Sequence, residues 1–301
     1  MREAIVERRG YRIRIRTRGP ANGPDAIVLP GMGATAFALA PQIRLLQARG
    51  YRTHIIDLPG FGLPPALRKQ DARFSQLADI VAEACHEIGI TRTLIVGHSL
   101  GGGIAMHMAV RHRALVTGLI LLAPAAMGRS LIWTYKLFCL PLIGRALLRP
   151  YKHGTRGFLR HFLLGSATRD DEKFVDLLAR HDTQAPAKAR SIRAIVWANQ
   201  PSRLRRIGLL FSPGGEQTAF TLCDEAAAFG GIPTLVLWGN EDRVIPARDA
   251  LRFKQLNPDA EVKVARGVAH MLPLEAPEWT NGHIARFDAL RLRPGVMKPA
   301  A

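Results

Sequence analysis

Three side chains far apart in the chain, Ser99, Asp242 and His270, could together activate a hydroxyl. A serine hydroxyl is a weak nucleophile until a base takes its proton, and a histidine does so best when a carboxylate orients its ring. Ser99 lies within Leu94-Ile-Val-Gly97-His98-Ser99-Leu100-Gly101-Gly102-Gly103, between an apolar run and a helical pattern. Glycines two residues before and two after the serine remove Cβ atoms that would collide if the chain turned sharply there from strand to helix. Behind that turn, a helix start offers unpaired amides and a positive dipole end to developing negative charge.

Sequence position sorts the partners. After Ser99, the run Leu235-Val-Leu-Trp-Gly239-Asn240-Glu241-Asp242-Arg243 puts two carboxylates just past a strand end. Asp242 is preferred over Glu241, and Leu121-Leu-Ala-Pro at the end of the preceding strand holds no acid. Val264-Ala-Arg-Gly267-Val-Ala-His270 puts a histidine past the next strand. The order Ser, acid, His suits a sheet whose active groups gather at the carboxyl ends of its strands. Most of the ten histidines fail on position. His54 falls in a strand, His86, His107, His112 and His283 on helices, and His153, His161 and His181 in a long inserted segment; His98 should pack beside the serine. A carbonyl attacked by Ser99 also needs two amide donors. The expected donors are Leu100, which follows the nucleophile, and Met32 in the Leu29-Pro-Gly31-Met32-Gly33 turn.

The elements that would hold these residues follow from periodicity. Tyr11–Thr17 alternates with period two, its arginines on the wet face. Short apolar strands at 26–29, 53–57, 93–96, 119–122, 234–238 and 261–264 alternate with helical patterns near 40–49, 74–88, 100–112, 247–256 and 278–291. Such alternation predicts a parallel sheet buried on both faces. Between 126 and 228 the alternation stops, and that segment reads as helical, with sixteen Lys/Arg against eight Asp/Glu. The expected organisation is a core over 1–125 and 229–301 with a helical insertion at 126–228 above the sheet.

Taken together, these motifs resemble the capped α/β-hydrolase family. Asp57-Leu-Pro-Gly60-Phe-Gly62, Trp238-Gly-Asn-Glu-Asp242-Arg-Val-Ile-Pro246, and His270 followed by Glu275 and Pro277 add to the likeness. The resemblance implies an α/β-hydrolase fold: a mostly parallel central sheet, helices on both faces and a helical cap. It also implies a serine esterase or lipase-like activity. Haloalkane dehalogenases and epoxide hydrolases, which carry an aspartate nucleophile, do not fit Ser99. Meta-cleavage C–C hydrolases usually have tryptophan after the histidine, where Met271 stands. The oxyanion loop reads Pro-Gly where many relatives have His-Gly.

The expected reaction is hydrolysis of a carboxylic ester with an apolar acyl part through an acyl-enzyme. Alternatives are a thioesterase or acyltransferase acting on an acidic carrier or CoA thioester, a C–C bond hydrolase, or a non-enzymatic receptor on the same scaffold. No metal or organic cofactor is implied, because no ligand cluster or phosphate loop appears.

Composition bounds the partners. Across 301 residues, 48% are apolar and 22% charged, as in an ordinary globular chain. Forty-two basic residues against twenty-four acidic give +18, which favours an anionic lipid surface or an acidic carrier protein. No nucleic-acid signature is present, so nucleic acid is not expected. The scattered cysteines Cys85, Cys139 and Cys223, and the absence of a signal-like start, point to a cytoplasmic protein. The apolar run Ser130–Ile143, flanked by Arg145, Arg149, Lys152, Arg156 and Arg160, would also suit a peripheral position at a membrane. The Pro- and Ala-rich end from Pro294 reads as a frayed tail.

Overall fold

A computed structural model describes residues 2–126, 156–157, 159–181, 186–198 and 230–293. Cys139, Cys223, His153, the apolar run 130–143 with Arg145, Arg149 and Lys152, and the tail from Pro294 lie outside the described residues.

Eight strands form one sheet: β1 (Arg2–Arg8), β2 (Tyr11–Arg18), β3 (Asp25–Leu29), β4 (Arg52–Ile56), β5 (Thr93–His98), β6 (Val116–Leu122), β7 (Thr234–Gly239) and β8 (Glu261–Ala265). Their order is β1-β2-β4-β3-β5-β6-β7-β8, with β2 antiparallel to both neighbours and every later pairing parallel. The central strands read as unbroken apolar runs because helices cover both faces. Ile27, Leu29, Ile95 and Val236 belong to the core on one face, and Val28, Leu94, Val96 and Leu235 to the core on the other.

The chain leaves β3 for β4 on one side and returns to place β5 on the other. That reversal opens a crevice beyond the carboxyl ends of β3 and β5, the usual place for a ligand in an open α/β sheet. The loop carrying Met32 and the turn carrying Ser99 both emerge there. Helix α1 (Ala40–Ala48) follows the first of these loops, α2 (Phe74–Glu87) follows β4, and α3 (Leu100–Arg111) begins one residue after Ser99.

Residues 2–8 carry no assignment from periodicity, yet they form an edge strand. Only Val6 of β1 is buried, so the two-residue alternation that marks a half-buried strand is weak. Cross-strand charge supports it instead: Glu3 pairs with Arg14 at 3.6 Å and Glu7 with Arg12 at 4.0 Å. Arg16 pairs with Asp57 at 2.6 Å. Part of the cationic face of β2 is therefore neutralised at home.

Between β6 and β7 the described residues include a short helical turn at Leu159–Leu163, α4 (Glu172–His181) and α5 (Pro186–Ala198). Among the described residues, no helix is long and apolar enough to cross a membrane. The chain then returns through β7, α6 (Arg248–Leu256) and β8 to α7 (Leu272–Glu275) and α8 (Pro277–Phe287).

A buried carboxylate ties the last helix to the sheet. Asp288, with no exposed surface, accepts from Tyr51 Oη, Arg49 Nε and Arg293 Nη2, each at 2.5 Å. Burial alone would push this carboxyl up, but the three donors outweigh it and hold it below the ordinary value. A depressed carboxylate stabilises the fold above its unfolded pKa, and that stability is lost as pH falls through its folded pKa. Asp288→Asn should therefore cost about 3 kcal/mol at neutral pH. In urea titrations the gap between variant and parent should close on acidification; a gap independent of pH would contradict the ion-pair account.

Candidate active site

At Ser99 the backbone sits at φ 52° and ψ −116°, a left-handed conformation unusual for a residue with a side chain. Such strain persists only where the surroundings over-determine it. Here the neighbours are packed too closely to relax. A Cβ on Gly97 would lie 2.5 Å from the Gly101 carbonyl oxygen, and one on Gly101 would lie 2.1 Å from the Leu29 carbonyl oxygen. Gly102 is equally closed, with Pro124 Cβ 2.7 Å from where a side chain would start. Ser99 itself is pinned through its amide to Leu122 at 3.0 Å, and its carbonyl accepts from Ala125 at 2.9 Å. The hydroxyl is thereby lifted off the sheet edge.

His270 lies just past β8 and Asp242 just past β7. His270 Nε2 is 2.9 Å from Ser99 Oγ, and His270 Nδ1 is 2.7 Å from Asp242 Oδ2. The other carboxylate oxygen, Asp242 Oδ1, accepts from the amides of Val244 and Ile245, both at 2.8 Å. Asp242 is 6% exposed and His270 4%. The charge that would form on the imidazole thus faces a carboxylate already oriented by two amides. Sequence order and strand ends single out these three residues, and the structure brings all three together.

Glu241, the rival acid, points elsewhere. It accepts from the Ser166 amide at 2.7 Å and the Ser166 hydroxyl at 2.6 Å, and these two bonds hold its carboxyl below the usual range. The two adjacent acids thus take different partners, Glu241 the inserted segment and Asp242 the amides of its own turn and His270. Gly239 has no room for a side chain, since a Cβ would lie 2.3 Å from the Val268 carbonyl oxygen. The acid and histidine loops are also stitched by Asn240, which donates its amide to Ala265 at 2.9 Å and accepts from Gly267 at 2.8 Å.

His98 is buried beside the serine, as its place in the turn suggests, and adds something that spacing does not show. Its Nε2 donates to the His270 carbonyl at 2.9 Å, and the two rings lie 5.1 Å apart. That bond requires the proton on Nε2, which leaves Nδ1 without a partner. Burial, reinforced by the neighbouring His270 charge, pushes His98 down to about 3. It is a neutral brace.

The expected oxyanion donors, Leu100 and Met32, lie on segments next to Ser99 and Gly31. Leu100 opens α3, so its amide has no acceptor within the helix. Gly31 sits against the nucleophile: a Cβ there would be 3.3 Å from Ser99 Cβ and 3.1 Å from His98 Nδ1. Met32, the next residue, is half-buried against the core that includes Leu100, Ala125 and Ile195. Above this loop lies Lys188 of α5, only 8% exposed. Its Cε is 2.6 Å from where a Cβ on Gly33 would stand. The sequence reading did not single out Lys188; its only local signal is a lysine among the small and apolar residues at the start of a helix.

The chain matches the α/β hydrolase fold family over residues 27–277, and it belongs to that family. It is 25% identical over 286 residues to the 2-hydroxy-6-oxononadienedioate/2-hydroxy-6-oxononatrienedioate hydrolase of a Pseudomonas species, covering 91% of this chain and 92% of that protein. Among solved structures, a hydrolase from Pseudomonas aeruginosa aligns with TM-score 0.74 at 18% identity, covering 95% of this chain and 97% of that one. An esterase from Thermogutta terrifontis aligns with TM-score 0.70 at 19% identity, covering 95% and 98%. At these identities the structural likeness speaks for the fold alone.

A fluorophosphonate probe should attach covalently to the protein at Ser99, and Ser99→Ala should abolish labelling in intact-mass spectra. Asp242→Asn should slow labelling by about 10⁴-fold, because the imidazole would lose its orienting acceptor. Labelling that survives Ser99→Ala would place the nucleophile elsewhere.

Proposed function

We propose that the protein is a serine hydrolase cleaving a carboxylic ester with an apolar acyl part through an acyl-enzyme. The supporting observation is the unbroken relay from Asp242 through His270 to the strained Ser99. In this reading Ser99 Oγ attacks the ester carbonyl while His270 Nε2 takes its proton. The tetrahedral oxyanion accepts from the Leu100 and Met32 amides. The C–O bond then breaks and His270 returns the proton to the departing alkoxide. Water, activated by the same imidazole, releases the acid.

The inserted segment 126–228 acts as the cap. Its described part is bonded to both catalytic loops: Met271 donates its amide to Leu163 at 3.1 Å, and Arg243 Nη1 donates to the His161 carbonyl at 2.9 Å. Met32, Phe162 and Leu163 pack against the same apolar core as Leu100, Ala125 and Val244, which supports an apolar acyl group.

A second reading, hydrolysis of a C–C bond, has its own support. The Pseudomonas relative acts on a dioate, and Lys188 places a buried ammonium beside the oxyanion loop, where it would suit a carboxylate on the substrate. Ser99 would then attack a ketone, and the electron pair of the breaking bond would pass into a conjugated leaving fragment that takes the proton from His270. Met271, in place of the usual tryptophan, weighs against it.

A panel of p-nitrophenyl esters, acyl-CoA thioesters and conjugated 2-hydroxy-6-oxo dienoates separates the readings. The expected result is fastest turnover of the p-nitrophenyl esters. Cleavage of the dienoate alone would overturn ester hydrolysis. On that branch Lys188→Met should raise KM for the dienoate by at least about 10-fold, the cost of one charge-assisted hydrogen bond.

A further inference from the structure

The half-buried carboxylate of Glu275 lies near the site and takes no part in the relay. Glu275 ends α7, five residues after His270. Its Oε1 accepts from the Ala269 amide at 3.2 Å, on one side of His270. The Met271 amide, on the other side, donates to the Leu163 carbonyl of the inserted segment at 3.1 Å. Its Oε2 accepts from the Gly165 amide at 2.7 Å and the Thr168 hydroxyl at 2.8 Å, both from the inserted segment. Gly165 approaches the histidine loop so closely that a Cβ would lie 2.4 Å from the Gly267 carbonyl oxygen and 2.9 Å from the Ala269 nitrogen. The Ala167 amide adds a bond to Gly267 at 3.2 Å.

We propose that Glu275 is a positioning residue whose carboxylate couples the seating of residues 163–168 to the alignment of His270. The proposal rests on the reading of Ser99 and His270 as nucleophile and base. The amide before His270 is held on this side chain and the amide after it on the Leu163 carbonyl, and the side chain is itself held by the insertion. Displacing Gly165 or Thr168 would loosen the carboxylate, then the histidine backbone, then the 2.9 Å contact with Ser99. A shift of about 1 Å at a reacting group can cost on the order of 10²-fold in rate. Glu275 touches neither substrate nor the attacking oxygen, so its effect should fall on kcat.

The test uses the full-length protein with Glu275→Gln and Thr168→Val, each normalised to the fraction of folded sites by thermal melting and exhaustive fluorophosphonate labelling. Thr168→Val keeps the shape of the side chain and removes only the insertion's hydroxyl donor. The expected outcome is a fall in kcat and in labelling rate of about 10- to 100-fold for Glu275→Gln. For Thr168→Val the expected fall is about 3- to 10-fold. KM should change less than kcat, and the double variant should lose less than the product of the two, because both act through one group. Unchanged kcat per folded site in Thr168→Val, or fully multiplicative losses, would overturn the coupling. If Glu275→Gln fails to fold, Thr168→Val decides alone. A parent protein that Ser99→Ala leaves equally labelled would instead sink the reading of the site.

Discussion

The structure depends on one crowded crossing, where the end of β5 turns into α3 beneath the end of β3. Ser99 can hold φ 52° only because Gly97, Gly101 and Gly102 let backbone approach backbone with no side chain between. Any Cβ at position 101 would strike the carbonyl of Leu29, the last residue of β3. The contact that strains the serine therefore also sets the height of the loop carrying Met32. The Ser99 turn and the loop carrying Met32 are positioned by the same closeness, so neither can drift without the other.

Around that crossing the electrostatics admit one mobile proton. Two imidazoles lie 5.1 Å apart, and in a dry site both could not carry charge. Burial and the neighbour's charge keep His98 neutral, while His270 alone faces a carboxylate. His98 then serves as a fixed donor to the backbone of its neighbour. The site gains an aligned base without gaining a competing one.

The described part of the inserted segment is joined to the candidate site through the loops. Glu241, in the turn after β7, and Glu275, at the end of α7, hold Ser166 on one side and Gly165 with Thr168 on the other. Two loops that must agree in position to within a hydrogen bond are thus strapped by one short stretch of chain. Loops alone lack the ladder of bonds that holds a strand, and such external ties supply the missing rigidity.

Much of this was legible from residues alone. Apolar runs that end abruptly mark the strands, the Gly-rich turn marks Ser99, and the order serine, acid, histidine along strand ends marks the partners. These signals are local, and local sterics decide them. What stayed hidden was decided by contacts between distant segments. The edge strand β1 shows little alternation because only Val6 is buried, and backbone pairing with β2 along its whole length holds it. Asp242 and Glu241 are adjacent acids on one turn, and only the tertiary packing of Gly239 against Val268 determines which faces His270. Lys188 reaches the oxyanion loop across roughly half the chain, a closeness that no spacing rule encodes, because it arises where a helix of the insertion meets a glycine of the core.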